Sequence, residues 1–159
     1  YNTAVGQASM ESNTTGENNT TLGRSSLNAN TTGSHNTAVG LQALASNTTA
    51  SFNTAMGLNA LVSNTTGASN VAVGASSLDA NTTGASNSAL GHNALTTNTT
   101  GGSNTAIGYA ALEVNTTASN NTAVGTAGPP ALKILAFLSG FGSGTYRSPS
   151  PKRAVDAEQ

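Results

Sequence analysis

The chain has 159 residues, a formal net charge of −1, no Cys and no Trp, and only 7% of its residues are charged and 4% aromatic. Globular enzymes bring about a quarter charged residues, so this composition indicates a repetitive structural protein. The near-neutral charge, without a basic stripe, argues against nucleic acid as a partner, and the lack of Cys excludes disulfides, thiolate metal sites and thiol catalysis.

From Asn2 onward the chain consists of copies of a 17-residue unit with the consensus NTAVGxxALxxNTTGxx. Seven complete copies and the start of an eighth follow one another between Asn2 and Gly125 without insertion or deletion. Such periodicity is the signature of one structural unit stacked on itself. We number the repeat positions 1 to 17 from the first Asn of each copy.

Each copy predicts two short strands and two corners. The first strand ends at the apolar residue of position 4, which Gly follows, the second strand contains the apolar residue of position 9, and the NTT motif forms the second corner. Helical repeats need about 33 to 47 residues, and Gly, Asn and Thr are poor residues for a helix interior. The sequence therefore predicts an all-β chain, with a parallel β-solenoid (a β-roll or β-helix) over residues 1–125.

Two apolar ladders are predicted to fill the core, because alternate strand residues face opposite ways. The Val ladder, at position 4, is Val5, Leu22, Val39, Met56, Val73, Leu90, Ile107 and Val124. The Leu ladder, at position 9, is Met10, Leu27, Leu44, Leu61, Leu78, Leu95 and Leu112.

The Ala residues of position 3 are predicted to face outward by the same alternation. They include Ala38, Ala55, Ala72, Ala89 and Ala106. A core of two aliphatic residues per coil is thin, so we expect further stabilisation from Asn ladders along the stack and from burial of this smooth Ala face against other copies of the chain.

The Asn of each NTT corner satisfies the N-glycosylation rule. These residues are Asn13, Asn30, Asn47, Asn64, Asn81, Asn98 and Asn115. A corner would select the same residues without a sugar, because Asn tolerates left-handed backbone conformations and Thr favours a β conformation beside it. Both explanations stay open, and O-glycans on Thr are a third alternative.

Residues 104–117, NTAIGYAALEVNTT, resemble the repeats of phage tail-fibre-like proteins and bacterial surface fibre proteins. They are also similar to the YadA-like head repeats of trimeric autotransporter adhesins, and the likeness covers residues 2–125. The resemblance implies a parallel β-roll, association of three chains into a fibre, and a location that is extracellular, on a cell surface or on a virion.

The sequence changes character at Gly128, Pro129 and Pro130, which end any strand. Residues 126–142 are predicted to cap the last coil or to dock on another subunit, and residues 143–159 to be polar and disordered. The apolar side chains of the predicted cap are Leu132, Ile134, Leu135, Phe137 and Leu138. This apolar run is far shorter than the roughly 20 residues that a membrane span requires.

No side-chain pattern predicts an enzyme, a cofactor or a metal. His35 and His92 occupy different repeat positions and have no second His or carboxylate at ligand spacing. No Ser stands in a nucleophile elbow, and the Asp-containing repeat of calcium-binding β-rolls is absent from the sequence. We therefore expect a chain without catalytic activity.

Three function classes remain. The first is a structural or adhesive fibre module, a subunit of an extracellular filament, surface adhesin or phage tail fibre, which assembles with itself as a homotrimer or an end-to-end filament and contacts surface glycans or a host receptor. The second is an ice-binding β-solenoid. The third is a carbohydrate-binding module, for which Phe52 and Tyr109 look isolated along the sequence.

Overall fold

The computed structural model describes residues 1–126, so the predicted cap and polar tail over residues 127–159 lie outside the described part. Residues 1–126 contain strands and turns and no helix. The strands are β1 (Thr3–Val5), β2 (Thr20–Leu22), β3 (Thr37–Val39), β4 (Thr54–Met56), β5 (Val71–Val73), β6 (Ser88–Leu90), β7 (Thr105–Ile107) and β8 (Thr122–Val124). They form one parallel sheet in the order β1 to β8, which confirms the predicted all-β solenoid.

Equivalent residues of successive coils stand next to each other throughout the sheet. Thr37 pairs with Thr54 and Ala38 with Ala55, and the same offset of one repeat recurs at every strand pair. Each repeat position therefore forms a ladder along the rod. An insertion of one residue would move a coil out of every ladder at once.

Each coil has one strand, where the sequence predicts two. The segment around the Leu ladder consists of turns instead: the Asn64 amide N–H donates to the Leu61 carbonyl at 3.1 Å, within one coil. The Leu61 amide N–H donates to the Ser77 carbonyl of the next coil at 3.0 Å. Stacked turns thus take the place of the predicted second sheet, and they still bond coil to coil.

These turns place many ordinary residues in the left-handed backbone region. Positions 7, 9 and 17 of the seven complete coils supply 21 non-glycine residues with positive φ, and the Leu ladder has φ between 49° and 53°. This region is costly for β-branched side chains. None of the 21 residues is Val, Ile or Thr, so the turn geometry explains why the Leu ladder contains only Leu and Met.

Glycine is required at position 5, where the strand ends. These residues have φ between 125° and 144°, a range that other residues rarely adopt. A Cβ atom on Gly57 would lie 2.6 Å from the Gly74 carbonyl oxygen. The coils approach too closely here for any side chain, which explains why all eight copies carry Gly.

The Leu ladder lies in the core, as predicted. Its members from Leu27 to Leu95 are fully buried, Met10 is 8% exposed, and Leu112 is partly buried and packs against the cluster. Small side chains complete the interior, among them the Ala residues of position 3 and Ala or Ser at position 8. The coil is therefore narrow, with one large aliphatic side chain per turn.

The predictions for positions 3 and 4 are wrong, because the strand presents the opposite face to the core. Six members of the Val ladder are 40 to 55% exposed, and Val39 and Val73 are half-buried. Ala38, Ala55, Ala72, Ala89 and Ala106 are at most 1% exposed, so they cannot contact another chain. The inner face holds small side chains, Ala in seven copies and Thr21 in the other, whereas the larger Leu, Met and Ile side chains of position 4 lie on the outer face.

The exchange Leu61→Ile tests the requirement of the turn for a side chain that is not branched at Cβ. Ile keeps the volume, but its β-branch is disfavoured at a φ of 52°. We expect the free energy of unfolding to fall by about 2 to 3 kcal/mol, against less than about 1.5 kcal/mol for an ordinary volume-conserving exchange. Chemical denaturation followed by circular dichroism measures the loss.

The matched control is Leu61→Met, because Met10 already occupies the same repeat position. Equal losses for the Ile and Met variants would contradict a conformational requirement at this position.

Candidate functional site

The described part of the chain offers no group of acidic or His side chains suited to a metal. No three residues of the types His, Asp, Glu or Cys lie together within residues 1–126. The same residues include no helix long and apolar enough to cross a membrane. The regular features of the rod are its ladders of like residues, two of which hold the coils together.

The first Asn ladder occupies position 1 and is buried from Asn19 to Asn104. Asn53 illustrates its bonds: its amide N–H donates to Asn36 Oδ1 at 3.0 Å, and its own Oδ1 accepts from the Asn70 amide N–H at 2.9 Å. Its Nδ2 donates to the Gly67 carbonyl at 3.0 Å. The backbone amide and the side chain of Asn53 together therefore join three successive coils.

The second Asn ladder occupies position 12 and uses its side-chain amides alone. Asn64 Nδ2 donates to Asn47 Oδ1 at 3.0 Å, and Asn64 Oδ1 accepts from Asn81 Nδ2 at 2.9 Å. Asn64 Nδ2 also donates to the Gly67 carbonyl at 2.9 Å. The position-15 carbonyl thus accepts one bond from each Asn ladder, and this arrangement recurs in all seven complete coils.

The predicted glycosylation sites are the members of this second Asn ladder. Asn30, Asn47, Asn64, Asn81 and Asn98 are fully buried, and the amide nitrogens of Asn13 and Asn115 also donate to carbonyls of their own coils. A glycan needs that nitrogen and an open surface, so the folded rod is incompatible with N-glycans at the buried five. The stacked corner itself explains the Asn residues.

The two Thr residues of each corner have different environments. The hydroxyl group of Thr65 donates to the Thr82 carbonyl of the next coil at 3.1 Å, and the other position-13 residues repeat this bond up to Thr99. The Thr residues of position 14, such as Thr66, are exposed. Within the corner, the position-14 Thr residues are therefore the ones that leave room for O-glycans.

The outward face of the sheet is the candidate interaction surface. It consists of the Val ladder and a parallel Thr ladder at position 2, namely Thr3, Thr20, Thr37, Thr54, Val71, Ser88, Thr105 and Thr122. Both ladders are exposed or half-buried, and neither contains a charged residue. The face is a straight, uncharged stripe roughly 34 Å long, at about 4.8 Å per coil.

Two further aliphatic side chains are exposed in the central coils. Leu41 and Leu58, at position 6, are 41% and 48% exposed and follow the glycine at which the strand ends. The charged residues of the described part lie at other positions than 2, 3 and 4 and are Glu11, Glu17, Arg24, Asp79 and Glu113. The stripe is therefore apolar at its centre. The charged residue that is nearest in sequence to the Val ladder is Arg24, in the second coil.

Phe52 and Tyr109, which look isolated along the sequence, each stack on a His of the preceding coil. The rings of His35 and Phe52 have centroids 5.0 Å apart and an interplanar angle of 1°. The rings of His92 and Tyr109 lie 5.5 Å apart at 5°. Each aromatic residue follows its His by one repeat, so the two rings of each pair stand next to each other in adjacent coils.

The outward position of the Val ladder could have been found from the sequence by comparing size variation between copies. Position 4 holds Val, Leu, Met and Ile, whereas position 3 holds Ala in seven copies and Thr21 in the other. A close-packed core tolerates changes of volume poorly. The position that varies in size is therefore the outer one.

Comparison of the chain with protein-family models, with curated proteins and with solved structures gives no match. The ladders described above are therefore the basis for assigning a function.

The exchange Asn64→Asp tests the contribution of the second Asn ladder. It replaces the Nδ2 donor by an oxygen that faces Asn47 Oδ1 and the Gly67 carbonyl, 3.0 and 2.9 Å from the present nitrogen. We expect a loss of about 3 kcal/mol in the free energy of unfolding at pH 7, because one oxygen of a buried, charged carboxylate then faces two acceptors where the donor stood. Denaturation at several pH values measures it.

The loss should depend on pH in a defined direction. Burial among acceptors raises the pKa of the new carboxyl above the roughly 3.9 of an unfolded Asp. The folded variant then binds more protons than the unfolded chain, so its stability falls as the pH rises above about 4. Asn18→Asp, on the exposed surface, is the control, and an equal loss there would contradict the role of the ladder.

Proposed function

We propose that the chain is a structural or adhesive fibre module, a subunit of an extracellular filament, surface adhesin or phage tail fibre. The observation that carries the proposal is the uncharged stripe of exposed Val-ladder side chains along one side of a regular rod. Soluble monomers rarely expose large continuous apolar patches, and such patches mark interfaces.

The partner that fits this stripe is a second copy of the chain. Its ladders repeat at one spacing along the whole sheet, so two identical rods can match one another coil by coil without any change of register. Association of three rods, which the resemblance to trimeric adhesin heads implies, would place the Val ladders around a common axis. The narrow core of each rod would then be supplemented by a shared apolar core between rods.

Two substitutions in the stripe test self-association. In the variant Met56→Glu, Val73→Glu, carboxylates in adjacent coils would lie in the apolar interface, where unpaired charge is costly. We expect the parent to have a multiple of the 15.6 kDa chain mass, three copies in the trimer, and the variant to be a monomer. Light scattering coupled to size-exclusion chromatography measures both masses.

The matched control is Ala45→Glu, Val62→Glu at position 10, where Glu11 and Glu113 already occur. It adds the same charges at the same coil spacing on another side of the rod, and it should leave the assembly intact. A parent chain with the mass of one copy would overturn the proposal.

Ice binding is the second candidate, and the inverted strand orientation favours it. The outward face carries Thr and aliphatic side chains in two parallel ladders on one sheet, and such regular, uncharged arrays on other β-solenoids order water. This function requires an accessible face and therefore a monomer. It is the alternative outcome of the light-scattering experiment above.

The exchange Thr54→Lys distinguishes the ice-binding candidate. A hydrated ammonium group would interrupt the Thr ladder, so thermal hysteresis of the parent should be abolished in the variant if this face binds ice. Thr66→Lys, an exposed position-14 residue of the same coil, is the matched control. Absence of thermal hysteresis in the parent chain would exclude ice binding.

A further inference from the structure

Phe52 combines an unfavourable backbone conformation with an exposed aromatic side chain. Its φ is 64°, in the left-handed region that is uncommon for a bulky aromatic residue, and its side chain is 61% exposed. Position 17 holds Asn, His or Ser in the other coils, namely Asn18, His35, Ser69, Ser86, Ser103 and Asn120. Strain combined with exposure at one residue points to a role outside the fold.

The stack with His35 fixes the direction of the Phe52 ring. The two rings are parallel and stacked, and their centroids lie 5.0 Å apart, close to the spacing of about 4.8 Å between coils. One face of Phe52 is therefore covered by His35. The other face lies on the side away from His35, which is the side of the next coil.

The next coils carry only small residues at the corresponding place. Ser69, Ser86 and Ser103 follow Phe52 at position 17, and all three are exposed. Within residues 1–126 Phe52 stacks with no ring besides His35. The outer face of the ring is thus open above Ser69, and a ligand ring there would continue the aromatic ladder by one step.

We propose that the open face of Phe52, with the Ser69 and Ser86 hydroxyl groups beyond it, binds a pyranose ring of a carbohydrate. The negative face of an aromatic ring attracts weakly positive C–H groups, which a pyranose presents on its apolar face. Ser hydroxyl groups both donate and accept hydrogen bonds, as the hydroxyl groups of a sugar require. This inference rests on the proposed adhesive function and assigns it a class of ligand.

The chemistry favours a neutral sugar chain over a charged ligand. Positions 16 and 17 of the three coils after Phe52 contain Ala, Gly and Ser without a charged residue. A chain of pyranose rings running along the rod would meet the same small residues in each coil. The site would therefore bind an oligosaccharide weakly at one ring, and several rods in one fibre would strengthen attachment through multivalency.

The test uses the full chain with three probes, cellohexaose, chitohexaose and maltohexaose, followed by nuclear magnetic resonance of the Phe52 ring and the Ser69 amide. At least one probe should shift both signals, with a Kd of about 1 mM or tighter. The variant Phe52→Ser, which introduces the residue found at this position in three other coils, should bind that probe at least about tenfold more weakly.

A second variant keeps Phe52 and covers its open face. Ser69→Phe extends the ladder into the space proposed for the sugar, so it should also weaken binding at this site at least about tenfold. Ser103→Phe, the same exchange two coils further along, is the matched control and should leave the shifts of the Phe52 ring unchanged. These two variants distinguish a site on Phe52 from a merely structural role of the aromatic pair.

The proposal is overturned if none of the three probes shifts the Phe52 and Ser69 signals, if Phe52→Ser binds like the parent, or if Ser69→Phe leaves the affinity unchanged. Its failure is distinguishable from that of the fibre proposal, because light scattering reports self-association independently. Phe52→Ser should keep the assembly mass of the parent, since position 17 lies outside the apolar stripe.

Discussion

The path of the chain in each coil depends on the backbone carbonyl group at repeat position 15. In each complete coil it accepts one hydrogen bond from the first Asn ladder and one from the second, as the Gly67 carbonyl does from Asn53 and Asn64. The three positions fix the path of the chain around one turn. The two donors stand 14 and 3 residues before the carbonyl in every complete coil, so an insertion between positions 1 and 15 would displace at least one of them.

The interior of the rod is therefore stabilised by paired amide groups in addition to aliphatic packing. Buried polar groups are costly unless they are paired, and here the ladders pair nearly all of them: within residues 1–126 the one buried side-chain oxygen without a partner is Asn59 Oδ1. Backbone turns with positive φ supply the tight path, and Gly at position 5 lets adjacent coils approach. One Leu per coil is then enough to fill the centre.

The solenoid and its period could be predicted from the sequence because spacing alone determines them. The Leu ladder could also be predicted, since an apolar residue recurs at one position among polar neighbours. The orientation of the strand could not be obtained from alternation, because Ala and Val are both apolar and a three-residue strand such as Thr54–Met56 satisfies either parity. A comparison of side-chain size between copies at positions 3 and 4 would decide the orientation of the strand. The convergence of two Asn side chains on one carbonyl can be seen only in the structure.

The structure has turns where the sequence predicts a second strand, and the reason is local. Leu61 has strand-like neighbours in sequence, yet its backbone is left-handed, and only the absence of β-branched residues from the whole ladder indicates this. The pairing of Phe52 with His35 is not apparent within one copy of the repeat, because the two residues belong to adjacent copies. Residues one repeat apart are neighbours in a solenoid, so the copies must be compared column by column.

The hydrogen bonds of both Asn ladders run in one sense along the rod. Asn81 donates to Asn64, and the Asn70 amide N–H donates to Asn53 Oδ1, so each coil offers amide oxygens to the coil after it and amide protons to the coil before it. Any cut across the stack would expose amide oxygens on one surface and amide protons on the other. The two ends of the rod therefore differ in their hydrogen-bonding groups, which gives the rod a direction. Two rods that meet end to end could continue the ladders only in a head-to-tail orientation.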